Sequence, residues 1–286
     1  MTSSGDLGAA RRKTATLRKY LILSGAGVVL LFPMYILLVN ALKTRDAIIQ
    51  RPLGLPLGED FTIENLSDVI VNQGGILFGA YATTIGLTLV VEVGLIGTSG
   101  MLAYYLARNT SRLSYVLYFV VVLGILVPPQ IILLPAVQVL KELGLLFTVP
   151  GLIVYEIGAN MPLAVFLYTG FIKTVPTDLD EAASLDGASL FRTYWSVIFP
   201  ILRPATGALA IFIAIWVWND FLSPLVILGP LGFDTVTTAL FSAIGLQSVN
   251  YQQVYGWLWF ATVPVLVVYI FTQRFMVKGL TEGAVS

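Results

Sequence analysis

Apolar residues in this chain are grouped in long runs separated by short polar breaks. Six runs, about 20–42, 81–107, 114–138, 150–173, 204–228 and 257–277, match the roughly 20 residues a helix needs to cross a hydrocarbon core of about 30 Å. They predict an all-α polytopic membrane protein with six transmembrane helices. The first run follows a basic start, and Val39-Asn40-Ala41 loosely resembles a signal-cleavage site. The stretch from Tyr20 to Leu38 is longer than a signal core, however, so an uncleaved anchor is expected.

Basic residues set the expected orientation. Arg11, Arg12, Lys13, Arg18, Lys19, Arg108, Arg112, Lys173, Arg192, Arg203, Arg274 and Lys278 fall on the N-terminal side of the six-helix arrangement. Only Lys43, Arg45, Arg51 and Lys141 fall on the other. The positive-inside rule then places both termini in the cytoplasm.

Between the runs, residues 1–19 are rich in Ser, Thr, Arg and Lys and are expected to be flexible. The outer loop, about 43–80, carries turn signals at Pro52, Gly54, Pro56 and Gly58. Thr62 is placed to cap a short helix with Leu66, Val69 and Ile70 on one side. Prolines at 33, 128, 129, 135, 162, 224 and 264 interrupt the runs, and in lipid each freed carbonyl needs a partner from a neighbouring helix or water.

The largest polar island lies at 177–200. Thr177 is a good N-cap, and Asp178, Asp180 and Glu181 put negative charge in the first turn, where the helix dipole favours it. Leu179, Ala182, Ala183 and Asp186 recur at helical spacing and predict a face of mostly small residues. Gly187 suits a left-handed helix end, and Ser189 can cap a second helix with Leu190, Phe191, Tyr194, Trp195 and Ile198 as an apolar stripe. Pro204 fits the first turn of the fifth span. Physically this is either a docking element or a solvated loop packing on its own bundle.

Composition narrows the chemistry. The chain is 57% hydrophobic and 11% charged, with a mean hydropathy of +0.87, outside the range of ordinary soluble domains. It has neither cysteine nor histidine, which removes thiolate ligands, disulfides, the commonest metal ligand and the neutral-pH proton shuttle. Net charge is zero, which leaves no electrostatic footprint for nucleic acid. No G-x-x-x-x-G-K-[ST] loop is present to cradle ATP.

Glu181-Ala182-Ala183, then Asp186-Gly187-Ala188 and Ile198-Phe199-Pro200, resemble the E-A-A, D-G-A and I-x-x-P loop of permease subunits of ATP-binding-cassette importers. Phe61-Thr62 with Glu64-Asn65, Trp218-Asn219-Asp220-Phe221, Gln273-Arg274-Phe275, and Gly279-Leu280-Thr281 with Gly283-Ala284-Val285 look like the carbohydrate branch, similar to the maltose-type second permease. The resemblance covers about residues 60–286. Phe199 stands where Leu is usual before the proline, an apolar exchange.

The resemblance implies a type I importer-permease fold. Its parts would be a cytoplasmic tail at 1–19, the first helix and outer loop at 20–80, a permease core at 81–277 with a coupling loop at 174–203, and a cytoplasmic tail at 278–286. It implies that the island is a coupling-helix hairpin that docks on a nucleotide-binding subunit. Ala182, Ala183 and Gly187 would allow close approach, Glu181 would meet a basic partner residue, Asp186 would cap or orient the turn, and Ala188 would belong to the same docking set. The implied partners are a second permease, two ATP-binding subunits and an extracytoplasmic solute-binding protein. ATP and Mg would sit on the partner, with no cofactor bound by this chain, which would work in a prokaryotic plasma membrane and carry a sugar or related polyol inward.

Asp220, Glu156 and Glu92 fall within predicted spans, where a charge must face protein or a water-filled cavity. Asp220 and Asn219, near Trp216 and Trp218, could contact sugar hydroxyls and ring faces, or could tie helices together. Glu156 is expected near the interface; Glu92 has no assigned role. The alternative class is an ion-coupled carrier or channel using Asp220 and Glu156. An intramembrane enzyme lacks a visible catalytic spacing.

Overall fold

The computed structural model describes residues 4–229, 232–244 and 250–284, and no strand occurs among them. The helices are α1 (Ser4–Asn40), α2 (Arg45–Gln50), α3 (Glu64–Val71), α4 (Gly74–Arg108), α5 (Arg112–Leu123), α6 (Pro129–Glu142), α7 (Val149–Thr174), α8 (Asp178–Leu185), α9 (Leu190–Thr193), α10 (Phe199–Ile201), α11 (Arg203–Asn219), α12 (Leu222–Ile227), α13 (Val236–Ile244) and α14 (Tyr251–Ala284).

Four of the expected spans are continuous helices, in α1, α4, α7 and α14. The other two are bent. The run at 114–138 is broken where Gly124–Leu126 tightens into a 3₁₀ turn and Pro128 and Pro129 intervene, so that α5 and α6 meet at 111°. Proline removes a helical donor and pushes the residue before it out of the helical region, which locates the bend. The run at 204–228 stops at Asp220, whose ψ of 127° is extended, and resumes in the short α12. At its other end α11 turns by 80° from the segment Leu190–Ile201. Helix α1 extends back to Ser4, across the part of 1–19 expected to be flexible; Ala, Arg, Lys and Leu there are good helix formers.

One compact unit comprises the chain up to Gln73 together with Ala243–Phe260. Its centre is a polar knot. Lys43, fully buried, donates to the carbonyls of Arg51 at 2.7 Å and Pro52 at 3.2 Å and to Asn40 Oδ1 at 3.5 Å. Asn65 Nδ2 donates to the carbonyls of Ala41 at 3.0 Å and Lys43 at 2.8 Å, and Arg51 pairs with Asp60 at 2.5 Å. The inward face of α3 is therefore Asn65 and Val69, and Ile70, grouped with Val69 on one side in the sequence, is exposed. Thr62 accepts a bond from the Glu64 N–H at 3.1 Å, one residue outside the N-cap position. A side chain at Gly256 would overlap the Asn65 carbonyl, so α14 crosses α3 closely there.

Burial holds the Lys43 ammonium below the ordinary lysine value, with Asp60 opposing that shift and Arg51 reinforcing it. The folded pKa lies below the unfolded one, so the unfolded chain binds more protons between the two, and stability rises with pH through that window. Lys43→Met is expected to remove this alkaline gain and to lower the melting temperature in detergent, since each orphaned buried carbonyl costs about 1–3 kcal/mol. An unchanged melting curve would show that the knot is not structural.

The second unit comprises Gly74–Ser242 and the chain from Ala261. Its core is the α4–α7 pair with α11. Leu87, Val91, Leu95 and Ala103 of α4 pack with Leu152, Ala164, Val165 and Tyr168 of α7 and Leu209 and Ile213 of α11. Gly94 permits a close crossing, because an added Cβ would lie 2.6 Å from Ile157; small residues let membrane helices approach in this way.

Candidate functional site

The polar island folds as a hairpin. Thr177 stands at the N-cap of α8 but is itself helical and makes no side-chain cap, so the acidic first turn begins the helix without it. The end of α8 is fully specified. Gly187 adopts φ +75°, its N–H reaches the Ser184 carbonyl at 3.0 Å, and the Ala188 N–H reaches the Ala183 carbonyl at 2.9 Å. This pair of bonds is the Schellman arrangement, which glycine favours because it carries no Cβ. Ser189 caps α9 as expected, accepting from the Arg192 N–H at 3.3 Å. The expected second helix is not uniform, since Tyr194–Ile198 forms a π turn between α9 and α10, a departure that often marks functional sites.

Burial redistributes the expected faces. Of Leu179, Ala182, Ala183 and Asp186, only Ala183 is buried. Ala183 faces inward, whereas Ala182 beside it on this short helix is exposed. The second arm divides too: Tyr194 and Ile198 are buried while Leu190 and Phe191 are exposed. The outward surface thus consists of Leu185, 89% exposed, Leu190 and Phe191, with Glu181, Ala182, Asp186 and Gly187 beside them and Ala188 half-buried.

Sequence reasoning missed Asp180 as an anchor. Its carboxylate accepts from the Tyr104 hydroxyl at 2.5 Å and pairs with Arg108 at 2.9 Å. Arg108 also donates to the Val175 carbonyl at 3.0 Å. The available signal was that Asp180 shares a helix face with Ala183, three residues on.

The intramembrane candidates separate. Glu156 is buried rather than interfacial; Asn160 Nδ2 donates to its Oε2 at 3.2 Å, and its Oε1 receives no hydrogen bond among the described residues. Glu156, Asp220 and Trp216 line one small cavity of about 30 Å³ with Tyr155 and Ser223, a volume suited to a water rather than a sugar ring. Asp220 also holds the break after α11: its side chain accepts from the Ser223 N–H at 3.4 Å and its carbonyl from the Thr237 hydroxyl at 2.7 Å. Asn219 bonds back to the Ile215 carbonyl. Trp218 points elsewhere, donating to the Ala261 carbonyl at 3.1 Å and lining a groove with Glu92, Thr88 and Pro264. Trp216 and Asp220 are brought together; Asn219 and Trp218 do not join them. The side chains of the tail signature, Gln273 to Val285, lie outside the described residues.

The family model for the binding-protein-dependent transport system inner membrane component matches residues 98–278. The chain belongs to this family. Among its relatives, the probable starch degradation products transport system permease protein AmyC of Thermoanaerobacterium thermosulfurigenes is 33% identical, over 94% of this chain and 97% of the relative. The multiple sugar-binding transport system permease protein MsmG of Streptococcus mutans is 31% identical over 94% and 96%. A chain in the crystal structure of a bacterial ABC transporter involved in the import of alginate superposes with a TM-score of 0.80. It is 21% identical, and the match covers 96% of this chain and 98% of that one. This inner membrane component is therefore a multi-pass membrane protein with the importer-permease fold, as the motifs from Glu181 to Pro200 implied.

Proposed function

We propose that this chain is one of two permease subunits of an ATP-driven importer for a sugar or related polyol. The observation that carries the reading is the hairpin: an exposed apolar tip of Leu185, Leu190 and Phe191 held in a fixed shape by the Gly187 turn. A polar-to-apolar surface of that kind, on a chain with no phosphate loop of its own, suits docking on a separate nucleotide-binding subunit. Support for a carbohydrate comes from AmyC and MsmG, permeases of transport systems for starch degradation products and for multiple sugars.

In this reading Glu181 meets a basic residue of the ATPase, and Ala182, Asp186, Gly187 and Ala188 border the contact. ATP and Mg belong to the partner. A second permease and a solute-binding protein complete the assembly. The hairpin and both termini are cytoplasmic, consistent with Arg108, Arg112, Lys173, Arg192 and Arg203 on the hairpin side. ATP drives the change between inward-open and outward-open states only through its different affinity for the two. Trp216, 39% exposed, serves as the sugar-facing residue of the pathway, while Asp220 and Asn219 secure the end of α11.

The test is to purify the chain together with the products of its neighbouring genes. An ATPase should copurify, and Glu181→Lys should weaken that association while leaving membrane insertion unchanged. Transport by the chain alone in vesicles would instead identify an ion-coupled carrier using the Glu156–Asp220 site.

A further inference from the structure

One stripe of one helix grips both arms of the hairpin. Gly100, Tyr104 and Arg108 follow at four-residue spacing along the last turns of α4 and share a face. Arg108 and Tyr104 converge on Asp180 in the first arm, at 2.9 and 2.5 Å. Arg108 also holds the Val175 carbonyl, in the link that leads from α7 into α8. The second arm meets the same stripe through Tyr194, whose ring lies 5.6 Å from that of Tyr104 and whose hydroxyl lies directly over Gly100. The Arg108 and Asp180 side chains are only 17% and 19% exposed, so water screens this ion pair less than it would at an open surface. Tyr104, Arg108 and Tyr194 line one groove with Leu190 and Phe191, next to the outward tip at Leu185.

We propose that Tyr104 and Arg108 are positioning residues for energy coupling. Acting through Asp180, they make α8 and the end of α4 a single lever that carries hairpin movement into the α4–α7 pair. The proposal rests on the reading of the chain as an ATP-driven permease. Removing the lever leaves Leu185, Leu190 and Phe191 on the hairpin and disconnects ATP binding from movement of the bundle.

The natural chain contains no cysteine, so two spin labels can be introduced without background, at Val93 on α4 and Phe212 on α11, both exposed. The distance between them would be measured in the purified complex, with and without ATP and Mg, alongside copurification and ATP hydrolysis. In Arg108→Met combined with Tyr104→Phe, the ATPase should still copurify and hydrolyse ATP. The ATP-induced shift in the ratio of the two distance populations should fall by at least about fivefold, the low end of ordinary coupling factors. Arg108→Lys, which keeps a charge facing Asp180, should restore part of it.

A full distance change in the double variant would overturn the lever. So would loss of copurification in that variant, which would make the stripe a support for docking, and so would a wild-type complex whose ATPase binds without any distance change. A wild-type chain that brings down no ATPase would overturn the functional reading itself.

Discussion

Gly187→Pro is expected to abolish uptake by the assembled transporter while leaving the chain inserted in the membrane. The native φ of +75° is closed to proline, whose ring fixes φ near −65°. Proline also lacks the N–H that reaches the Ser184 carbonyl. Helix α8 has only eight residues, too few to persist on its own propensity, and its end is shaped by this turn. A proline conflict of about 3 kcal/mol or more corresponds to a loss of docking of roughly 100-fold at about 1.4 kcal/mol per tenfold. Gly187→Ala, which meets only the left-handed strain of about 1–2 kcal/mol and nothing within 4 Å, should show an intermediate effect. Copurification of the ATPase and uptake, measured on the same membranes, check both variants; wild-type docking by the proline variant would mean that the turn does not shape the contact.

Gly100→Ala is expected to lower the melting temperature of the protein by overpacking the second unit. A Cβ there would overlap the hydroxyl of Tyr194, which is 1% exposed, and would come within 3.8 Å of the Tyr168 ring. Overpacking of this kind costs about 1–3 kcal/mol. The Tyr194 hydroxyl has no hydrogen-bond partner among the described residues, so Tyr194→Phe should be tolerated alone and should relieve part of the Gly100→Ala cost. Melting curves of the two single variants and the double variant form a cycle that isolates the contact. Simple additivity would show that the hydroxyl is free to move aside.

Local signals in the chain were enough to place the hairpin, its glycine turn and the Ser189 cap, because each depends on residues within a few positions of one another. Asp180 was legible as a first-turn acid but not as the partner of Tyr104, 76 residues away, since that pairing is made only when α4 and α8 pack. The side of α8 that faces the bundle was misread for a related reason: Ala182 and Ala183 are equally small, and nothing in a helical period says which of them a neighbouring helix will cover. Pro128 and Pro129 marked an interruption, yet its 111° angle depends on what α5 and α6 pack against. Glu156 looked interfacial from its place near the start of an apolar run. Its burial follows from Leu152 and Tyr155 packing into the core around it.

The stop at Asp220 also bears on the lipid around the protein. Helix α11 has 17 residues and is therefore about 26 Å long, short of a hydrocarbon layer of about 30 Å. The remaining thickness is crossed by extended backbone at Asp220 and by α12, with the Asp220 carbonyl satisfied by Thr237 rather than by another helical turn. Membranes with longer acyl chains put that short element under mismatch, at a cost of fractions of a kcal/mol per Å. Acyl-chain length thereby becomes a physical variable of the transporter's working cycle, acting where the fifth span gives up its helical form.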